Sequence, residues 1–463
     1  MNHEFTSVPK LNSASTLSGS FIPETSFHPA SYADFLPRPQ LHQLQSQRLA
    51  DMVRRAYTNV EFHRRRFDEL GIRPDDIRSI DDIVRLPFMV KNDLRDTYPS
   101  GLFAAPMADV VRVHASSGTT GKPIVVGYTQ PDIDVWREVI MRSFLAYGLH
   151  CGDIIQVSYG YGLFTGGLGA HYGAEALGAM VIPVSGGNTD RQLNLMLDLG
   201  ATAICCTPSY FLHLIGRAKE LGIDLRDPEK TSLRAGVFGA EPWTEGMRTR
   251  IEAETLIKAY NIYGLSEIIG PGVAAECRCQ TGLHIFEDHF YPEIIDPETG
   301  EVLPDGTSGE LVLTTLSKQA MPMLRYRTRD LTTIEPTLCA CGRTMRQIRR
   351  ITARSDDMFI IRGVNVFPSQ IEAALLTVSK ASPHYHIVLT REESGLDRIE
   401  VQVELSGDAA NDDRVRIVQE LQAEIGQAIA RIIGLHVQVT LRRPGTLPRS
   451  EGKIQRVTDQ RKM

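Results

Sequence analysis

Apolar and polar positions fall into two rhythms along this chain. Leu41, Leu44, Leu49, Met52, Val53 and Ala56 recur near helical spacing with Arg and Gln between them, which predicts a helix. A second short helix runs on from Val60 to Gly71, and another is centred on Asn92, Asp93 and Leu94. Residues 110–115 and 123–128 are β-rich segments, read as two strands around a small-residue loop; 130–149 read as a long amphipathic helix. Strands expected at 153–158, 180–184, 203–206 and 233–239 then alternate with helices at 166–177, 191–199, 209–221 and 245–255. Such β-α-β alternation implies a largely parallel sheet covered by helices. Residues 282–315 are strand-rich, with turns at 296–300 and 305–306, and predict an antiparallel subdomain. Near Arg354 the pattern resets to strand, helix (368–378), two strands (384–390 and 398–405), helix (412–433), strand (436–441) and a tail.

The expected fold class is therefore α/β. A large N-terminal domain (32–355) carries parallel-type sheets and the smaller antiparallel β subdomain; a small α+β C-terminal domain spans 356–463. Residues 1–31, rich in Ser, Thr, Pro and Asn, are expected to be disordered.

Composition removes some functions. Of 463 residues, 42% are hydrophobic and 23% charged, as in ordinary globular proteins. A net charge of −6 argues against a nucleic-acid binder held by bulk electrostatics. Seven cysteines, two of them adjacent, do not read as a secreted disulfide framework; a reducing, cytoplasmic setting fits better. No apolar run approaches the ~20 residues that span a bilayer, and no secretory signal is visible.

The chemistry centres on Ser116, Ser117, Gly118, Thr119, Thr120, Gly121 and Lys122. Hydroxyls, backbone N–H groups freed by glycine and a lysine at the rim suit a phosphate. Pro123 and a β-rich run follow, so this is not a Walker A loop; a plain hairpin turn is the other reading. Behind it, in order, come Tyr263 to Glu267, an aromatic–glycine turn ending in a carboxylate; Asp330 after three arginines; Arg354 with Asp356 at the domain boundary; and Lys453 in a Gly/Pro/Ser-rich tail. Each is unremarkable alone.

In this order and spacing they resemble the adenylate-forming superfamily, specifically the phenylacetate–coenzyme A ligases, from about residue 32 to the end. Segments 159–167, 237–243, 287–293 and 360–368 look family-specific. The resemblance implies activation of an aryl acid, phenylacetate foremost, by ATP and Mg²⁺, then transfer to coenzyme A. Alternatives are the same chemistry on anthranilate or a hydroxybenzoate, or loading onto a carrier protein. It implies a loop at 116–122 that closes over the ATP phosphates, with Lys122 a supporting charge. Glu267 would hold Mg²⁺, and Asp330 would bind the ribose hydroxyls. Gly239, Ala240 and Glu241 would flank adenine, with Tyr263 nearby and Arg354 at the ribose–phosphate end. Lys453 would be the catalytic lysine of the first half-reaction. Rotation about Asp356 would then bring Gly363 to the coenzyme A side. Tyr159, Phe164 and Phe238 would line the aryl pocket, with Val237 beside them. Ala353 stands where relatives usually carry glycine.

Two thiol pairs and a histidine flank the β-rich insert: Cys277, Cys279, His284, Cys339 and Cys341. They suit a structural Zn²⁺, although Cys-x-Cys is tighter than usual and five candidates compete for four places. Resemblance to metal-containing relatives favours Cys277, His284, Cys339 and Cys341. Cys151, Cys205 and Cys206 are expected to be buried apolar side chains. The Gly/Ala-rich helix 166–177 suits a second subunit as well as its own sheet, so a homodimer stays open.

Overall fold

The computed structural model describes residues 28–116, 123–241, 243–351, 353–355, 359–361, 364–378, 381–391, 397–405, 415–447 and 456–461. The N-terminal helices run Arg38–Asn59 and Glu61–Glu69. Leu41, Leu49, Met52, Val53 and Ala56 bury the predicted face of the first. Strands Val110–Ser116 and Ile124–Thr129 form an antiparallel hairpin in which Ser116 pairs with Ile124. Residues 117–122, which join the two strands in sequence, lie outside the described residues.

The main sheet has eight strands. Strands Met180–Ile182, Ile154–Val157, Ala203–Cys206, Ala235–Phe238 and Lys258–Leu265 lie side by side in parallel. The sheet then turns antiparallel through Gly270–Ala275, Leu283–Ile285 and Gln347–Ile348. The parallel part is buried on both faces, so each strand feeds two cores by alternation. Ala203, Cys205, Ala235 and Val237 enter one core; Ile204, Cys206 and Phe238 enter the other.

The expected antiparallel subdomain is a four-stranded sheet of Phe290–Ile295, Ser308–Thr315, Tyr326–Thr333 and Ala353–Arg354. Its first turn closes by a Gly300 N–H bond to the Asp296 carbonyl, with Gly300 at φ +76°. A third core draws on residues from Phe359 to Val457. It packs helices Pro368–Leu376 and Val415–Ile433 on a sheet ordered Gln438–Arg442, Asp397–Leu405, Ala381–Arg391 and Val457–Asp459.

Several expectations need correction. Residues 262–265 are strand rather than turn. The strand Lys258–Leu265 carries Tyr263 and Gly264 straight on, and the chain reverses only at Ser266 to Ile269. Gly264 permits this because a Cβ there would lie 1.8 Å from the Gly270 carbonyl oxygen. The end of the supposedly disordered 1–31 segment is ordered: Pro29–Phe35 forms a 3₁₀ helix and Ser31 is buried. Residues 1–27 lie outside the described residues. The tail ends in a strand, Val457–Asp459, parallel to residues 387–389. Cys151 is exposed, whereas Cys205 and Cys206 are buried as expected.

Asp34, at the end of the 3₁₀ helix, is fully buried. Its Oδ1 accepts from Arg142 Nη2 at 2.6 Å and its Oδ2 from Arg343 Nε at 3.0 Å. Arg142 also donates to both Asp288 oxygens at 3.0 Å and to Glu138. Burial opposes the Arg142 charge, but Asp288 and Asp34 outweigh it and hold the group protonated. Among the described residues no helix is long and apolar enough to cross a membrane.

Candidate active site

In open α/β sheets ligands bind beyond the carboxyl ends of the strands, where strand order reverses. Here the reversal falls at Ile154–Val157, which has Met180–Ile182 on one side and Ala203–Cys206 on the other. Tyr159 leaves that crevice with its hydroxyl on the Cys206 carbonyl at 2.7 Å. Phe164 lies 6.4 Å from it, ring centre to ring centre, and stays 41% exposed, so its ring is available to a ligand. Gly166 lets the ring lie where it does, because a Cβ there would come within 2.4 Å of the Phe164 ring and push it aside.

Phe238 does not join this pair. It packs on the opposite face of the sheet against Phe211 (5.3 Å) and Trp243 (5.6 Å), fully buried. Alternation along the strand decides this: Val237, not Phe238, enters the core that holds Tyr159. Phe238 is therefore a core residue, not a pocket wall.

The next strand end carries Gly239, Ala240 and Glu241. A Cβ on Gly239 would stand 2.5 Å from the Ile262 carbonyl oxygen. Ala240 sits at φ +69°, a conformation that costs a non-glycine residue roughly 1–3 kcal/mol. Glu241 accepts from the Ser209 N–H at 2.8 Å, at the start of helix Pro208–Glu220, where the helix dipole favours an anion. Loss of water pushes its carboxyl up, opposed by the charge of Arg456. Arg456 in turn lies over the Tyr385 ring at 4.5 Å and 3.7 Å from Glu372.

Asp330 is the meeting point of two other predicted residues. The Tyr263 hydroxyl donates to its Oδ2 at 2.6 Å and Arg354 Nη1 to its Oδ1 at 3.0 Å. Arg354 is its cross-strand partner. A bulge aims Asp330: register slips opposite Glu310 to Val312, and Arg329 adopts φ +67°. The fully buried Glu310 carboxylate fastens the bulge, taking Arg327 at 2.7 Å and Arg329 N–H at 3.3 Å. Sequence reasoning missed Glu310, an acid in a strand that also carries Ser308, Thr314 and Thr315.

Glu267 is 6% exposed, and among the described residues no ion pair or hydrogen bond engages its carboxylate. An unengaged carboxylate oxygen suits a hard cation such as Mg²⁺. Its backbone carbonyl accepts from Lys318 Nζ at 2.9 Å. Lys318 was also missed. Burial pushes its ammonium down to about 7, against the opposing charges of Asp132 and Glu267. Of the other predicted residues, Ser116 ends its strand, while Ser117, Gly118, Thr119, Thr120, Gly121, Lys122, Asp356, Gly363 and Lys453 lie outside the described residues.

Apart from this site, Cys277, His284, Cys339 and Cys341 present one ligand atom each, all within 4.8 Å of one another. His284 Nδ1 bonds the Met345 carbonyl at 3.1 Å, which leaves Nε2 facing the Cys341 thiol at 3.4 Å. Such backing is the usual outer support of a metal-bound imidazole. Cys279 packs beside the cluster without joining the four.

A family model described as the AMP-binding enzyme matches residues 44–321, and one described as the AMP-binding enzyme C-terminal domain matches 363–461. A phenylacetate-coenzyme A ligase of Pseudomonas putida is 54% identical over 425 residues, 91% of this chain and 94% of that one. Its counterpart from Escherichia coli strain K12 is 51% identical over 91% of this chain and 95% of that one. Among solved structures, 2-hydroxyisobutyryl-CoA ligase in the postadenylation state superposes with a TM-score of 0.86 at 27% identity, covering 95% of both chains. The same ligase in the thioesterification state gives 0.68. The chain belongs to the AMP-binding enzyme family and, within it, to the group of the phenylacetate-coenzyme A ligases.

Proposed function

We propose that the chain joins phenylacetate to coenzyme A at the expense of ATP, through an acyl-adenylate. The observation that carries this is the meeting of Tyr263 and Arg354 on Asp330, in a chain 54% identical to a phenylacetate-coenzyme A ligase. A phenylacetate oxygen attacks the α-phosphorus, and the bond to the β-phosphate breaks to release pyrophosphate. The carboxylate is already ionised at neutral pH, so no base is needed. The obstacle is an anion approaching a polyphosphate, so positioning and positive charge do the catalysis. Asp330 accepts hydrogen bonds from the ribose hydroxyls, and Arg354 holds its carboxylate in place. The strained Ala240 turn flanks adenine, with Tyr263 nearby. Tyr159 and Phe164 clasp the phenyl ring at its edge and face. Glu267 is the residue for Mg²⁺, which when bound would screen phosphate charge. Lys453 supplies the positive charge that meets the α-phosphate in this reading. In the second half the thiol sulfur attacks the acyl carbon and the bond to AMP breaks. Closer likeness to the postadenylation form supports reading the described arrangement as that of the first half.

Pyrophosphate release is expected with phenylacetate above benzoate, anthranilate and 4-hydroxybenzoate, and phenylacetyl-CoA only when free coenzyme A is added. No release with any acid would sink the enzyme reading. A preference for another acid, or for a carrier protein over coenzyme A, would replace the substrate or acceptor.

The thiol–imidazole set fits Zn²⁺, which would tie the 277–284 segment to 339–341 and take no part in the chemistry. Elemental analysis of chain purified without chelator is expected to find close to one zinc per chain, falling at least several-fold in Cys341→Ser. A zinc-free native protein would end the idea.

A further inference from the structure

The turn that carries Glu267 is gripped from beneath through its carbonyls. Lys318 Nζ holds that of Glu267 at 2.9 Å. The Tyr128 hydroxyl is shared between those of Ile269 (3.0 Å) and Ser266 (3.3 Å). Trp136 Nε1–H donates to that of Pro271 at 3.0 Å, and the Thr165 and Ser266 hydroxyls meet at 3.3 Å. These gripping groups form one stack. Trp136 lies parallel to Tyr128 at 5.3 Å, and the Lys318 ammonium sits 4.9 Å over the Tyr128 ring. Asp132, fully buried, takes the Gln319 and Ala320 N–H groups at 2.5 and 2.9 Å and offsets the lysine charge. It thereby ties the lysine's own segment to the start of helix Gln130–Tyr147.

Burying an ammonium is expensive, of order several kcal/mol, and an apolar side chain would fill the same volume at less cost. What an apolar chain cannot do is fix a carbonyl. We propose that Lys318 is a positioning residue for the first half-reaction: it locks the backbone of Glu267, and so aims the Glu267 carboxylate at the nucleotide. Tyr128 is the second member of this support. It stands in the strand Ile124–Thr129, so the hairpin strand and the turn that carries Glu267 are joined through its hydroxyl. The inference rests on the reading of Glu267 as the Mg²⁺ carboxylate.

The test uses the full chain and MgATP without acid, titrated calorimetrically, so that no turnover is needed. Lys318→Met is expected to weaken MgATP about ten- to a hundredfold, the range for a lost charged hydrogen bond. Pyrophosphate formation should fall alongside, while coenzyme A transfer from supplied phenylacetyl-adenylate stays within about twofold. Tyr128→Phe keeps the ring and should shift binding several-fold in the same direction, which keeps the proposal testable if Lys318→Met fails to fold. Glu267→Gln is the reference. If it weakens MgATP while Lys318→Met, or Tyr128→Phe in its stead, binds as the native chain does, the proposal is overturned. Equal loss of both half-reactions also overturns it, since that marks a general structural role. If Glu267→Gln itself binds MgATP normally, it is the reading of Glu267 that falls.

Discussion

Asp330→Ala is expected to lower kcat/KM for ATP by about two to four orders of magnitude. A charged hydrogen bond contributes about 1.5–3 kcal/mol, and two ribose hydroxyls would be lost together. Each 1.4 kcal/mol is a factor of ten, which sets the range. The substitution also strands the Tyr263 hydroxyl and Arg354, both now paired with this carboxylate. Asp330→Asn retains one acceptor oxygen and should lose less, about tenfold. Kinetics with 2′,3′-dideoxy-ATP separate the causes. The native chain should discriminate strongly between ATP and the dideoxy analogue, and Asp330→Ala hardly at all. Equal use of both nucleotides by the native chain would remove Asp330 from the ribose.

Arg142→Met is expected to destabilise the fold by about 3–5 kcal/mol, because it leaves buried carboxylates without their cation. Asp34, Arg142 and Asp288 are all at most 2% exposed, so water cannot take over. Their side chains meet at 2.6–3.0 Å, which leaves no room for a substitute. The melting temperature should fall by about 4–8 °C in scanning calorimetry, given the entropy of unfolding of a domain this size. Arg226→Ala, whose partner Asp224 is a surface residue, is the control and should change nothing measurable. A native-like melting temperature for Arg142→Met would show that the network is dispensable.

The alternation of strands and helices was readable because each element repeats its pattern over enough residues. The resemblance placed Tyr263, Asp330 and Arg354 around one nucleotide, but their direct contact comes from strand pairing and was not legible in the letters. Phe238 was misplaced because in a sheet buried on both faces both alternating positions are apolar, and nothing in the letters marks which face holds the site. The 262–265 segment was misread because glycine there serves a close strand approach rather than a reversal. Strand 457–459 is too short to show a period. Lys318 and Glu310 act through partners distant in sequence. A lysine beside Met321 and Met323, or an acid before Leu311, offers no local sign of the carbonyl or guanidinium waiting across the fold.

The Asp34 junction also orders events in time. Its cationic partners stand 108 and 309 residues further along the chain. At synthesis rates of about 5–20 residues per second, the second arrives roughly 15–60 s after the aspartate has left the ribosome's active centre. Until then the turn at 29–35 has only Arg142 to close upon. The Asp34 junction is thus completed only when most of the fold has been made, and until then the segment around it stays open to proteases and chaperones.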